Sequence, residues 1–95
     1  MTKRKVKASD WDTSELLRSE EDIVEYLSVA FEEGDANAIA VALGNVAKAK
    51  GMTQIAKKAG VSRENLYRSF RSGGDPKLTT LMHVMNSLGV KIQIT

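Results

Sequence analysis

Residues 52–70 read Met52-Thr-Gln-Ile-Ala-Lys-Lys-Ala-Gly60-Val-Ser-Arg-Glu-Asn-Leu-Tyr-Arg-Ser-Phe70. This spacing predicts a short helix, a turn at Gly60, and a second short helix beginning at Ser62. Two helices meeting at a steep angle need a turn of three or four residues between them. Ala56 is small enough to let the second helix cross close to the first. Gly60 can take the left-handed conformation that ends a helix. Val61 is an apolar plug between the two helices, and the Ser62 side chain can cap the amide of Glu64 or Asn65. Ile55, Ala59 and Leu66 then point to the core. Arg63, Glu64, Asn65, Tyr67 and Arg68 are left on the outer face.

That outer face has the chemistry of a major-groove reader. Arginine can bond guanine bidentately, and asparagine can do the same for adenine. Recognition helices contact bases mainly through their N-terminal residues. Ser62, Arg63, Glu64 and Asn65 are therefore the candidates for base contact, with Tyr67 and Arg68 beside them. Glu64 would accept from cytosine or orient Arg68 one turn on. Thr53, Gln54, Lys57 and Arg71 are candidates for phosphate contact. The competing reading is an ordinary helical hairpin with a solvated polar face.

Three more helices and a strand are expected around this pair. One runs from about Ser19 to Glu33: Ser19 and Asp22 resemble a capping box, the acids Glu20, Glu21 and Asp22 suit the helix dipole, and Ile23, Leu27, Ala30 and Phe31 form an apolar stripe flanked by Tyr26. A second is capped by Asp35, buries Ile39, Leu43, Val46 and Ala47, and ends at Gly51 after Lys48 and Lys50. A last helix spans about Leu78 to Leu88, with Leu81, Met82, Val84, Met85 and Leu88 toward the core, and stops at Gly89. Val90 to Thr95 alternates apolar and polar residues, a strand signal. The expected fold is mainly α: five helices with a C-terminal β-strand over 90–95. Residues 15–95 form the domain, and the polar residues 1–14 form an arm in which Trp11 is the largest apolar group.

Charge divides along the chain. Residues 1–35 hold five cations against ten acids, a net of −5, whereas residues 36–95 hold nine cations against two acids, a net of +7. A basic C-terminal part is the footprint of a polyanion binder, although a solvated basic surface reads the same way. The chain contains no cysteine, which excludes disulfides and zinc–thiolate sites and fits a reducing cytoplasm. No apolar run approaches the roughly 18 residues of a membrane helix, and no signal-type segment follows the basic N-terminus. His83 is the sole histidine. It falls among core positions of the expected last helix and reads as a helix-surface or partly buried group, and the sequence has no nucleophile elbow, P-loop or metal-spaced cluster. No catalytic residue, metal or cofactor is expected.

The 52–70 segment, the following Gly-Asp-Pro-Lys-Leu-Thr-Thr-Leu (74–81) and Leu-Gly-Val-Lys-Ile (88–92) resemble the addiction-module antidote proteins. These are HigA-like antitoxins of type II toxin–antitoxin pairs, within the broader Xre-type, lambda-repressor-like helix-turn-helix group. The resemblance takes in Leu27, Ala30 and residues 40–49 as well, and covers about residues 15–94. It implies a five-helix lambda-repressor-like DNA-binding domain that neutralises a RelE-like ribonuclease toxin and represses its own operon. One departure stands out. The usual Xre pattern has two more residues between its Thr-Gln and Leu-Ala than Thr53-Gln54-Ile55-Ala56, which weakens the transfer of a DNA-contacting role to Gln54.

Partners follow from geometry. A single recognition helix covers part of one DNA turn, so a palindromic operator on double-stranded DNA calls for a homodimer. Pairing of the terminal strand across a two-fold axis would bury Val90, Ile92 and Ile94 together; alternatively, the segment packs on its own domain. A RNA-cleaving toxin is expected to be basic. The acidic N-terminal third would then face it, with Trp11, Leu16 and Leu17 as apolar anchors. The alternative leaves a solvated acidic face and puts Leu16 and Leu17 in the core. The basic tip at Lys3, Arg4 and Lys5 would reach phosphates or a minor groove; the alternative is plain disorder. A stand-alone transcriptional regulator is the competing function; a neighbouring reading frame for a second small basic protein would decide between them.

Overall fold

Short polar side chains cap the start of three of the five helices among the described residues. The computed structural model describes residue 17 and residues 19–94. Ser19 opens α1 (Glu20–Glu33) with a complete capping box: its Oγ accepts from the Asp22 amide at 3.1 Å, and Asp22 Oδ2 accepts from the Ser19 amide at 3.3 Å. Two otherwise unpaired donors are satisfied reciprocally. Asp35 opens α2 (Ala36–Lys50), accepting from the Ala38 amide at 3.0 Å. α3 (Met52–Ala59) and α4 (Arg63–Ser69) follow, and α5 (Leu78–Leu88) completes the bundle. Among the described residues the elements are all helical.

α2 lies at the centre. It packs against α1, α3, α4 and α5, while α3 packs most extensively on α5. The most deeply buried side chains, Ile23, Leu43, Val46, Leu66 and Val84, come one or two at a time from α1, α2, α4 and α5. Each helix thus contributes one stripe to a shared core, at about 25 cal/mol per Å² of apolar surface removed from water. Polar ties fix the pairing. Asn45 Nδ2 on α2 donates to the Tyr26 hydroxyl on α1 at 2.9 Å. The Gly73 amide in the loop before α5 donates to Asn37 Oδ1 at 2.8 Å.

Three expectations need correction. The strand over 90–95 is not formed: residues 90–94 lack strand pairing, and Thr95 lies outside the described residues. Alternating Val90, Ile92 and Ile94 suit a pleat, but a strand is held by a ladder with a neighbour, and the other elements among the described residues are all helices. Val90 instead completes the end of α5, its amide donating to the Met85 carbonyl at 3.1 Å, and packs on the core. Ile92 and Ile94 stay exposed, at 45% and 94%. Met82, expected in the core, is 47% exposed, because Leu81, Val84, Met85 and Leu88 define the inner stripe and Met82 shares the outer side with Leu78. Leu17 is 6% exposed within the core cluster and so cannot serve as a free anchor for a partner. Trp11, Leu16 and the proposed arm 1–14 lie outside the described residues. No helix among the described residues is long and apolar enough to cross a membrane.

Candidate nucleic-acid interface

The turn between α3 and α4 is built by three consecutive residues. Gly60 adopts φ 75° and ψ 28°, a left-handed conformation that a side chain would strain. The next amide, on Val61, donates back to the Ala56 carbonyl at 3.0 Å and closes the end of α3. Val61 is half-buried against the core. Ser62 is extended, and its Oγ accepts from the Asn65 amide at 3.0 Å, the second of the two amides anticipated.

α4 is held down by its inner residues. Leu66 is fully buried, and Phe70 just after the helix is 4% exposed. The chain passes α2 at Gly44, where a Cβ would come 2.0 Å from the Phe70 carbonyl oxygen. Only glycine admits this approach, so Gly44 sets the height of α4 over α2. The sequence pattern does not reveal it, because Gly44 stands inside an otherwise regular helical run. The only local signal is a glycine at a helix-interior position.

With that face buried, the outer face is polar and open. Ser62, Arg63, Glu64, Asn65 and Arg68 are exposed, as are Thr53, Gln54, Lys57 and Arg71, and Tyr67 is 43% exposed. Asn65 Oδ1 accepts from the Ser69 hydroxyl at 3.3 Å, one turn along. That bond steadies the amide while leaving its N–H donors and a second lone pair for a ligand. Thr53, Gln54, Lys57, Arg63 and Tyr67 line one open recess of about 630 Å³. Ser62, Glu64, Asn65, Arg68 and Arg71 do not line that recess.

One member of the recess was not anticipated as a ligand contact. Lys48, on the last turn of α2, also lines it and stands with its Nζ 5.8 Å from the centroid of the Tyr67 ring. The Arg63 guanidinium carbon is 5.9 Å from the same centroid. The sequence signal of Lys48 is only that of a cation suited to a helix C-terminus. None of the recess-lining residues is acidic. His83 lies exposed on α5, and among the described residues no group of histidine, cysteine or carboxylate side chains could hold a metal ion.

The acids gather elsewhere. On α1, helical periodicity puts Glu21, Asp22, Glu25, Glu32 and Glu33 around Val29, which is 55% exposed. α1 packs chiefly on α2, and α4 packs on α2 and α3.

A family model described as "Probable addiction module antidote protein" matches residues 7–95. An uncharacterized protein of Haemophilus influenzae is 42% identical over 85 residues, which span 90% of this chain and 88% of the relative. No solved structure matches the chain.

Proposed function

The chain belongs to the probable addiction module antidote family, and from that premise we propose that it is a DNA-binding antitoxin, HigA-like and of the Xre, lambda-repressor-like type, that neutralises a RelE-like toxin and represses its own operon in the cytoplasm. An antidote family implies a toxin partner. The DNA-binding half of the reading rests on one observation: the exposed polar face of α4, seated on a Gly60–Val61–Ser62 turn, continues into an acid-free recess carrying Lys48, Lys57 and Arg63. Such a face supplies both base-edge donors and phosphate-neutralising cations.

The toxin-binding half is assigned to the acidic face of α1. Val29 is the apolar centre of that face, and surrounding carboxylates complement a basic RNA enzyme. Leu17, being core, takes no part. The helix-turn-helix and acidic surfaces belong to different helices, so one chain can hold both partners. Two copies are needed for a palindromic operator, and exposed Ile92 and Ile94 are the proposed contacts between them, without Val90.

The test is a gel-shift series on the protein's own promoter at rising salt, with the product of the adjacent reading frame co-expressed. Affinity should fall linearly on a log–log plot, with a slope of about −0.9 per neutralised phosphate. The small basic neighbour should co-purify. Salt-independent binding contradicts a phosphate-dominated complex. DNA binding without any co-purifying toxin favours a stand-alone regulator.

A further inference from the structure

We infer that Tyr67 is a shared platform holding Lys48 and Arg63 for one DNA strand, so that the nucleic-acid surface extends beyond α3 and α4 to the last turn of α2. The inference rests on the DNA-binding reading above and deepens it. Lys48 Nζ and Arg63 Cζ stand 5.8 and 5.9 Å from the centroid of one ring, within the reach of a cation–π interaction. Both cations and the ring line the same open recess, which contains no carboxylate. Long side chains on an open surface otherwise sample many rotamers, and fixing them costs free energy when a ligand arrives. The negative face of the ring restricts that sampling before binding.

The arrangement is also biased toward an anion. Two cations standing 5.8 and 5.9 Å from one ring centroid line the same recess, so both fields act on an anion that enters it. A phosphate in the recess would meet both. The free protein therefore presents both cations to one recess before a ligand arrives. Lys48 is the new element. It lies nineteen residues before Tyr67 and on a different helix, and it contributes a compact point charge suited to a phosphate. Arg63, at the start of α4, keeps its fork for a base edge. Tyr67 acts as a positioning residue through its ring.

The test is a double-mutant cycle in gel shifts on duplex promoter DNA, run as a salt series on the intact dimer. Lys48→Met should lower affinity and reduce the salt slope by about one unit. Tyr67→Leu keeps an apolar side chain but removes the π face, and should cost about 5–30-fold in affinity. Tyr67→Phe keeps the face and should stay close to wild type. Lys48→Met should cost less in the Tyr67→Leu background than in the wild type, because the platform has already gone. Lys48 and Tyr67 are exposed, so thermal melts of the variants should match wild type. An unchanged salt slope for Lys48→Met, or strictly additive effects of the two substitutions, overturns the inference while leaving DNA binding intact. Failure of the wild-type protein to bind its promoter overturns the DNA-binding reading itself.

Discussion

Gly44→Ala should destabilise the protein, although the same substitution in an open helix normally stabilises by about 1 kcal/mol. The sign reverses because of a contact. A Cβ at position 44 would come 2.0 Å from the Phe70 carbonyl oxygen and 3.1 Å from its carbonyl carbon. Both partners are backbone, so no side chain can swing away. α2 and the turn after α4 would have to part by roughly 1 Å before the contact became tolerable, and overpacking of this kind costs about 1–3 kcal/mol. Separation also loosens Leu66 and Phe70, which are 0% and 4% exposed. Those losses outweigh the helix-propensity gain, leaving a net destabilisation of about 1–2 kcal/mol. For a domain of this size that is a fall in Tm of roughly 5–15 °C. Thermal melts by circular dichroism, with urea titrations to confirm an unchanged m-value, give the measurement. A Tm equal to or above wild type would refute the argument, since it would mean that α4 does not rest on α2 at this point.

Ser62→Ala removes the cap on the Asn65 amide and should cost about 1 kcal/mol in urea titrations; promoter affinity should drop with it as the first turn of α4 frays. Val29→Lys puts a cation at the centre of the acidic face of α1, and should lower the association rate with a basic toxin by roughly tenfold or more in surface plasmon resonance, with promoter binding unchanged. Equal rates for the two proteins would remove α1 from the toxin interface. Ile94→Glu should shift the protein from dimer to monomer in sedimentation at tens of micromolar, since a side chain 94% exposed in one copy has no fold of its own to disturb. A dimer that persists would place the two-fold contact elsewhere.

What the sequence shows plainly is what it encodes locally. The Ser19–Asp22 box, the Asp35 cap and the Gly60–Val61–Ser62 turn all join atoms three to five residues apart, so the side chain that makes each bond is adjacent to the backbone that needs it. Periodicity likewise gives the buried face of α1, where Ile23, Leu27 and Ala30 are all core. Features that depend on how helices cross are not written that way. Gly44 meets Phe70, Lys48 meets the Tyr67 ring, and Asn37 holds Gly73, each across a long stretch of chain. Met82 fails for a related reason: it borders the apolar stripe of α5, and only the packing of α3 against α5 decides which edge of the stripe is covered. The terminal alternation of Val90, Ile92 and Ile94 states a preference for extended backbone but names no partner strand, so Val90 goes to the helix cap instead.

The division of charge then acquires a spatial meaning. Ten of twelve acids precede residue 36, and nine of fourteen cations follow it. In the fold, α1 and α4 both rest on α2, so a linear split along the chain becomes two charged surfaces on one central helix. The Tyr26–Asn45 hydrogen bond ties α1 to α2, and the Gly44–Phe70 approach leaves no slack between α2 and the turn that ends α4. Both contacts are made to the same helix, α2. On the proposed reading, a basic toxin on the acidic face of α1 would neutralise negative potential near bound DNA, an effect that would favour approach to phosphate at low salt and fade within a Debye length of about 8 Å at physiological ionic strength.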